Sequence, residues 1–394
     1  MTSYYFFCIY LVPNTFPMST NFISCLSMNA MIMPTLRFSA LFFSAILLVS
    51  TNVFAQERLK IAVAGLSHDH VHTLLRAYQR QEVDIIGIAE ADTELIRRFQ
   101  ASHKLPDSLF FGTVGAMLAA VRPDAVLAYN AISEHVDVAE ACLPLKIPLM
   151  VEKPLATTLA QAKRIAQLAD RYDTPVLTNY ETTWYASNQT LKGLVEEGNV
   201  GKIKKVMVKD GHQGPREIGC SEAFLKWLTD PVKNGGGALV DFGCYGANLM
   251  TWLMNGERPV AVTAVTRQLK PAIYPLVDDD ATIILEYEGG VTGVIQASWD
   301  WPYSIKDIHV YGDDASLHAV DPNTLVRYAN PTKRADVQLE TGYFGDHLTY
   351  LKALLDGKVA NTGDLSSLAN NLVVVEILET ARISAERGER ILIR

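Results

Sequence analysis

The chain has 394 residues and a formal net charge of −8 at pH 7, from 35 lysines and arginines against 43 aspartates and glutamates. This acidity argues against nucleic acid or an anionic membrane surface as a partner. Of its five cysteines, only Cys142, Cys220 and Cys244 lie beyond residue 55, and their spacing provides no disulfide framework.

The N-terminal region has the pattern of a targeting segment. Residues 1–55 carry a single charge, Arg37, ahead of an apolar stretch at 38–49 and small residues ending at Ala55. The stretch is too short to span a bilayer comfortably, so it predicts a secretory signal peptide cleaved near Ala55 and no stable membrane anchor. We expect a periplasmic or otherwise exported protein, with the residues before Met31 or Met33 as an extension upstream of the true start.

From residue 56 to 178, short apolar runs alternate with segments of helical period. This alternation predicts an α/β domain with a doubly wound parallel sheet, the Rossmann arrangement. The predicted strands are 59–64, 85–89, 125–129, 147–151 and 175–179, and the predicted helices are 71–81, 93–103, 136–143 and 159–172.

From residue 179 to 364, strands follow one another with few helices between them. The turn Glu288-Gly289-Gly290 is typical of a hairpin, so we predict an α+β domain with a mostly antiparallel open sheet. An apolar helix near 365–387, in a final segment 365–394, is predicted to pack back against the first domain. The predicted helices are 188–197 and 244–254, and the predicted strands are 204–210, 261–267, 281–287, 291–299 and 308–311.

Two residues at predicted strand ends indicate a dinucleotide site. Gly65 follows the first strand, where a glycine lets the backbone approach a pyrophosphate. Glu90 ends the second strand, where a carboxylate accepts hydrogen bonds from ribose hydroxyls and repels a 2′-phosphate. Ser67 and His70 stand where the other two glycines of the fingerprint would be. The pattern predicts NAD in preference to NADP.

His68, Asp69, His70 and His72 form a dense cluster after the first strand. Imidazole and carboxylate are common zinc ligands, so a metal site is one interpretation. The other is a turn in which Asp69 caps the following helix and a histidine faces the cofactor phosphates. Because no complementary ligand set is evident elsewhere in the sequence, no metal is predicted.

Lys153 lies in Glu152-Lys153-Pro154, directly after the apolar run 147–151. The proline disfavours helix at Lys153. The ammonium is therefore delivered to the carboxyl edge of the sheet, where open α/β folds bind ligands. Lys153 is a candidate acid or base, although a lysine that extends from a strand end to water would show the same pattern.

A glycine-rich loop at 235–237 enters a predicted helix that carries Asp241, Tyr245 and Asn248. Their spacing of four and three residues places them on one helical face. A carboxylate, a phenol and an amide side by side suit the adjacent hydroxyls of a polyol. A capped helix with a solvated polar stripe is the alternative.

Taken together, these motifs resemble the Gfo/Idh/MocA oxidoreductases over residues 59–394. The tyrosine at position 245, where many members have histidine, is most similar to the glucose-fructose oxidoreductase branch. The resemblance implies a Rossmann domain that binds NAD(P), a second sheet that often mediates homo-oligomerisation, and a sugar-sized site between them. It identifies Lys153, Asp241 and Tyr245 as catalytic. It also extends the predicted cofactor contacts, which are then Gly65, Ser67, His68, His70, Glu90, Asn130, His135, Glu152 and Lys153.

The predicted substrate contacts are Lys153, Asp241, Tyr245 and Asn248, joined by Trp184 and His212. Aromatic rings often line sugar sites, but rings at strand ends also serve as ordinary packing. A histidine such as His212 can equally be structural.

The predicted activity is hydride transfer between a carbinol carbon of a sugar or glycoside and NAD. Burial and the nicotinamide cation are expected to lower the pKa of Lys153, which takes the hydroxyl proton with Tyr245 as relay and Asp241 orienting the pair. Free NAD is scarce outside the cytoplasm, so an exported enzyme is expected to hold it tightly. A redox-neutral, NAD-dependent glycosidase or keto-glycoside-processing enzyme, and a non-catalytic sugar-binding protein, are the alternatives.

Overall fold

The computed structural model of the protein describes residues 58–393. The predicted signal peptide and its cleavage site near Ala55 lie outside this range. Within residues 58–393, no helix combines the length and the apolar character that a membrane span requires.

The first domain is built on a parallel sheet. In the described chain its six strands have the order β3-β2-β1-β4-β5-β6, and every pair is parallel. Strands β1 to β3 are added toward one edge of the sheet, and strands β4 to β6 are added toward the other. The loops that follow β1 and β4 therefore leave in opposite directions and form a crevice at the carboxyl ends of the strands. The strands are β1 Leu59–Ala64, β2 Val83–Ala89, β3 Phe110–Phe111, β4 Ala125–Ala128, β5 Leu149–Glu152 and β6 Val176–Asn179. The helices are α1 Val71–Gln79, α2 Thr93–His103, α3 Val114–Ala120, α4 His135–Cys142 and α5 Leu159–Tyr172.

The second sheet has nine strands within the described residues, in the order β14-β13-β12-β11-β7-β10-β9-β8-β15. Only β7 and β10 pair in parallel, so this mostly antiparallel sheet confirms the predicted fold class. The strands are β7 Ile203–Gly211, β8 Ala261–Arg267, β9 Asp280–Glu286, β10 Thr292–Ser298, β11 Ile305–Gly312, β12 Ser316–Asp321, β13 Thr324–Asn330, β14 Lys333–Asp336 and β15 Ile391–Leu392. The remaining helices are α6 Ala186–Glu196, α7 Glu222–Leu228, α8 Ala238–Asp241, α9 Gly243–Leu253, α10 His347–Leu355 and α11 Leu368–Arg387.

Helix α9 packs closely on the second sheet and so fixes the loop that precedes it. A Cβ atom on Gly246 would lie 2.4 Å from a side-chain carbon of Ile295 on β10. Any larger residue would push the helix away from the sheet. The close contact therefore holds the start of α9, and the adjoining Asp241, at a fixed height over the sheet.

The last two helices differ from the predicted domain boundaries. Helix α10 falls within the segment 179–364 that was assigned to the second domain, yet its Leu351 packs in the apolar cluster of the first domain with Leu59 and Leu74. Helix α11 contacts the first domain and also packs on the second. Glu379 accepts a hydrogen bond from the Leu159 N–H at 2.9 Å, whereas Ser384 accepts one from Ala264 on β8 at 2.9 Å.

Candidate active site

The centre of the site is an ion pair between the two domains. Lys153 follows β5, and its Nζ donates to Oδ1 of Asp241, at the end of α8, and to the Asp241 main-chain oxygen at 3.1 Å. The other carboxylate oxygen accepts a hydrogen bond from Trp299 Nε1 at 3.0 Å. Lys153 and Asp241 are both buried, with 6% of each residue exposed. Because water has little access to either group, each charge is stabilised mainly by the opposite charge of its partner.

The pair fixes the charge state of both groups. Burial lowers the pKa of Lys153, but the Asp241 carboxylate outweighs it, and the pKa is raised. Burial raises the pKa of Asp241, but Lys153 outweighs this effect as well, and the pKa is lowered. The sequence-based expectation of a lowered Lys153 pKa was thus wrong for the protein alone, because burial brings the carboxylate with it. The resting lysine is an ammonium.

Tyr245 lies beside this pair on α9. Its ring centroid is 5.2 Å from Lys153 Nζ and 4.8 Å from Lys306 Nζ, which reaches it from β11. Burial raises the pKa of Tyr245 well above its ordinary value. The phenol is therefore neutral and suited to donating a hydrogen bond, with two cations next to its ring.

Glu152, the last residue of β5, forms a second network of polar side chains at the same edge of the sheet, with His70 and Asn179. Its Oε2 lies 2.9 Å from His70 Nδ1, and its Oε1 accepts a hydrogen bond from Asn179 Nδ2 at 2.9 Å. Burial raises the pKa of Glu152, but His70 and the other hydrogen-bonding groups more than offset this and lower it. Asn179 in turn accepts a hydrogen bond from Trp184 Nε1 at 3.1 Å. Trp184 is thus tied to the Glu152 network, and Glu152 directly precedes Lys153 of the ion pair.

His68, His70 and Glu152 have potential ligand atoms within 4.8 Å of one another. The hydrogen bonds do not fit a cation. His68 Nδ1 accepts the backbone N–H of His70 at 3.2 Å, so in the neutral ring the proton is on Nε2, which cannot then bind a metal. Burial lowers the pKa of His68 and keeps this ring neutral. Nε2 is buried 3.9 Å from Glu152 Oε2 and has no hydrogen-bond partner among the described residues, so it offers a donor to a ligand.

Asp69 and His72, the other two residues of the cluster predicted after the first strand, have separate roles. Asp69 accepts a hydrogen bond from the Ser221 N–H at 2.8 Å and does not cap α1, whose N-cap residue is His70. His72 lies on α1 with its Nδ1 2.9 Å from His103 Nε2. The predicted capping role of Asp69 was therefore wrong, because its carboxylate joins the two domains instead.

A cavity of about 410 Å³ opens at the carboxyl ends of β1, β2 and β4, and Gly65, Ser67, Glu90 and Asn130 contribute to its lining. Gly65 has φ +80°, and a Cβ there would lie 2.6 Å from the Asn130 Cβ, so this turn requires glycine. Glu90 accepts backbone N–H groups from residues 66, 91 and 92 at 2.9 to 3.0 Å. Four of the predicted cofactor residues therefore surround one space of suitable size.

His135 does not belong to this cavity. Its ring is fully buried behind the turn that follows Lys153, with Nδ1 3.1 Å from the Leu155 carbonyl oxygen. Burial lowers its pKa to about 4, so the ring is neutral. His135 Nε2 is also buried, without a hydrogen-bond partner among the described residues, and the predicted contact between His135 and the cofactor stays a prediction. The His135 ring stabilises the turn that follows Lys153 through its hydrogen bond to the Leu155 carbonyl.

Asn248 was predicted to share a face with Asp241 and Tyr245, and the structure places it elsewhere. The helix is interrupted at Phe242, so Asp241 ends α8 whereas Tyr245 and Asn248 both belong to α9. Asn248 Nδ2 donates to the Leu365 carbonyl at 2.8 Å and to Asn371 Oδ1 at 3.3 Å. The amide nitrogen therefore joins α9 to α11, and this contact leaves only the amide oxygen without a partner among the described residues.

His212 follows β7 and lies next to the ion pair. Its ring packs edge to face on Phe242 at 4.7 Å, and its Nδ1 accepts the Gly214 N–H at 2.9 Å. Burial lowers the pKa of His212 to about 4, with Asp241 opposing that shift and nearby lysines reinforcing it. The ring is neutral, and its Nε2 has no hydrogen-bond partner among residues 58–393, which is consistent with the predicted substrate contact.

Part of the second domain covers the glycine turn of the first. Phe224 and Trp227 of α7 pack on His68, with ring centroids 4.6 and 5.5 Å away. Trp227 Nε1 also donates to the Ser67 carbonyl at 3.4 Å. These contacts enclose the turn where a pyrophosphate would be expected.

Three polar residues near the pair were missed by sequence reasoning. Lys306 pairs with Glu181 beneath Tyr245, and Asp210 is buried on β7. Buried and partly buried residues alternate along the second half of β7, and this alternation predicts that the side chain of Asp210 faces inward. Nothing local in the sequence marks Lys306 or Glu181.

Comparison with known proteins gives consistent matches to both halves. The family model described as "Oxidoreductase family, NAD-binding Rossmann fold" matches residues 59–180, and the "GFO/IDH/MocA C-terminal domain" model matches residues 188–318. Together the two matches cover more than half of the chain.

Among curated proteins, the trans-1,2-dihydrobenzene-1,2-diol dehydrogenase of Xenopus tropicalis is 27% identical over 351 residues, which is 82% of this chain and 96% of that protein. The enzyme of the same name from Bos taurus is 25% identical over 264 residues, 66% of this chain and 73% of that protein.

Solved structures show the same fold at lower identity. An aldose-aldose oxidoreductase from Caulobacter crescentus, complexed with glycerol, has a TM-score of 0.72 at 18% identity, covering 86% of this chain and 100% of that one. An inositol dehydrogenase homolog from Azotobacter vinelandii, complexed with NAD+, has a TM-score of 0.74 at 20% identity, covering 86% and 98%.

Proposed function

Because this chain belongs to the Gfo/Idh/MocA oxidoreductase family, we propose that it transfers hydride between a carbinol carbon of a sugar or glycoside and NAD held in its first domain. The observation that carries the proposal is the buried ion pair of Lys153 and Asp241. It joins the carboxyl end of β5 in the NAD-binding domain to α8 in the second domain, and it supplies a group that can move a proton as hydride moves.

The polyol class is supported by the site and by the relatives. Lys153, Tyr245 and His212 present donors and acceptors around one point, as several neighbouring hydroxyls require. Among the structural neighbours, one was solved with glycerol and another with NADH and myo-inositol. The similar curated enzymes are named for a cyclic vicinal diol. Adjacent hydroxyls are common to all of these molecules.

The residues present fit the cofactor. The cradle at Gly65 has no room for a Cβ, and the buried Nε2 of His68 offers an unused donor. NAD would be held by Gly65, Ser67, Glu90 and Asn130, and when bound it supplies the hydride acceptor and a positive charge.

Lys153 is suited to both directions of proton transfer. As the ammonium held by Asp241, it donates a proton to a substrate carbonyl oxygen in the reductive direction. A positive charge at this sheet edge favours the neutral amine, which accepts the hydroxyl proton in the oxidative direction. Tyr245, neutral at all ordinary pH values, orients the reacting oxygen by hydrogen bonding and passes the proton on.

Two further features belong to the proposal. The packing of α7 over the glycine turn supports a tightly held cofactor, as an exported enzyme would need. The outer face of the second sheet exposes apolar side chains on neighbouring strands, Val265 and Ile284, which supports a homo-oligomer.

The proposal is tested by nicotinamide fluorescence of the purified mature protein, with no cofactor added, before and after a panel of hexoses, glycosides and keto-sugars. We expect one sugar class to raise the fluorescence and a keto-sugar to reverse it. Release of an aglycone without net change in NADH would instead identify a redox-neutral glycosidase. Saccharide binding without any reduction of supplied NAD would identify a binding protein and overturn the proposal.

Glu90 is expected to set the preference for NAD. In Glu90→Gln, loss of the charged acceptor for the ribose hydroxyls should weaken NAD binding about 10- to 100-fold, in line with the ~1.5–3 kcal/mol of a charged hydrogen bond. NADP binding should not fall, because the charge that repels its 2′-phosphate is removed. Titration of both cofactors measures this ratio. Glu94→Gln, an exposed carboxylate at the start of α2, is the control, and an unchanged ratio in Glu90→Gln would contradict the assignment.

A further inference from the structure

Asp210, near the end of β7, is a carboxyl group that the mechanism does not use. Its side chain is completely buried, and neither oxygen has a hydrogen-bond partner among the described residues. Asp279 is equally buried, but its carboxylate accepts the N–H groups of Leu269 and Lys270, each at 2.6 Å. The two aspartates are equally buried, but only Asp279 has carboxylate oxygens that accept hydrogen bonds from the described residues.

The sheet register directs Asp210 toward the active site. Asp210 and Lys306 are direct partners across β7 and β11, so their side chains leave the sheet on the same face. Lys306 Nζ reaches a point 4.8 Å from the centre of the Tyr245 ring. His212, two residues after Asp210, contacts Phe242 beside the ion pair. Asp210 therefore lies on the face that carries the polar residues of the site.

Lys306 does not neutralise Asp210. Its ammonium is hydrogen-bonded to Glu181. Burial is the largest influence on Asp210 and raises its pKa well above the ordinary value, with Asp307 and Glu181 acting in the same direction and Lys306 and Lys153 opposing them. Burial therefore favours the protonated carboxyl group, which has one O–H donor and spare acceptor capacity.

An unpaired buried carboxyl group destabilises a fold, and one that persists usually has a functional reason. We propose that Asp210 forms the floor of the sugar site and binds a substrate hydroxyl other than the one that is oxidised. The inference rests on the proposed function and names the residue that selects polyols. It makes Asp210 a determinant of specificity and leaves proton transfer to Lys153.

The test compares Asp210→Leu, Asp210→Asn and the control Asp279→Asn. Each is assayed for its melting temperature, for the rise in that temperature caused by sugar, for NAD affinity, and for KM with a polyol and its monodeoxy analogues. In Asp210→Leu we expect an unchanged or higher melting temperature, because a desolvated polar group has been removed. We also expect a KM about 10- to 100-fold higher, an unchanged NAD affinity and a loss of discrimination against one deoxy analogue.

Asp210→Asn keeps a donor and an acceptor, so its KM should stay within a few-fold of the parent protein. Asp279→Asn should lower the melting temperature without changing discrimination between analogues. If Asp210→Leu also melts at a lower temperature and discriminates normally, Asp210 is structural and the inference is wrong. If the parent protein gains stability from sugar without reducing NAD, the proposed function fails, and loss of that gain in Asp210→Leu still supports the inference. If no sugar in the panel stabilises or reacts, both are overturned.

Discussion

Replacing Lys153 with methionine is expected to abolish hydride transfer while leaving cofactor binding intact. The methionine fills a similar volume but can neither donate nor accept the proton that must move with the hydride. General acid or base catalysis contributes about 10²- to 10⁴-fold, and we expect a loss of kcat at the upper end of that range. The cavity lined by Gly65 and Glu90 is built without the lysine side chain. NAD titration and turnover, measured on the same preparation, separate the two effects.

The structure shows that this variant also needs a control for folding. Removing the ammonium leaves the Asp241 carboxylate buried with Trp299 as its remaining side-chain partner, which costs about 3–5 kcal/mol of stability. The double variant Lys153→Met/Asp241→Asn removes the unpaired charge, so stability should recover while turnover does not. Lys192→Met provides a second control, since Lys192 is also a buried lysine, ion-paired with Glu196 at 2.9 Å on α6. Normal turnover in Lys153→Met would end the assignment of this residue as the acid or base.

Asp241→Asn is expected to lower kcat/KM by about 10²-fold and to move its pH dependence. Sugar oxidation requires the neutral amine of Lys153, so the rate should rise with pH through the pKa of that group. The Asp241 carboxylate holds this pKa above its ordinary value. Without the carboxylate, burial lowers the pKa, and the rising limb should shift to lower pH. The profile of kcat/KM against pH for both proteins measures the shift.

The same pair has a signature in stability. The raised pKa of Lys153 stabilises the fold below the unfolded value of 10.5 and loses that effect as pH rises through the folded pKa. The lowered pKa of Asp241 stabilises above the unfolded value of 3.8 and loses that effect as pH falls through the folded pKa. Asp241→Asn should remove both limbs from the stability profile. If the pH dependence of kcat/KM and the pH dependence of stability in Asp241→Asn both match those of the parent protein, the Asp241 carboxylate does not control the pKa of Lys153.

The main architecture could be predicted from the sequence because its core strands are apolar and regularly spaced. The runs at 59–64 and 261–267 became β1 and β8 with the predicted bounds. Strand β14 was missed because all four of its residues are exposed and none follows an apolar pattern. Helix α10 was assigned to the wrong domain because chain order gives no indication that the polypeptide returns to pack on β1 and α1.

The candidate site residues that the sequence indicated are those that lie in local motifs. Lys153 and Asp241 came from separate motifs, and the structure joins them in an ion pair. Asn248 was misplaced because helical spacing does not reveal that Leu365 and Asn371 supply the partners of its amide. Lys306 could not be found, since its place beside Tyr245 depends on the pairing of β11 with β7. Local spacing describes a helix face, whereas a site formed across a sheet depends on register.

The cover of α7 over the glycine turn has a kinetic consequence. Trp227 of α7 is hydrogen-bonded to Ser67 beside the cavity, so a cofactor bound there would be held longer if its release required this contact to open. If sugars exchange faster than that opening, each nicotinamide reduced by one sugar must be reoxidised by another before it escapes. Initial rates would then follow a ping-pong pattern, with parallel lines in double-reciprocal plots of two sugars, and dilution of the enzyme would not reduce its activity per molecule.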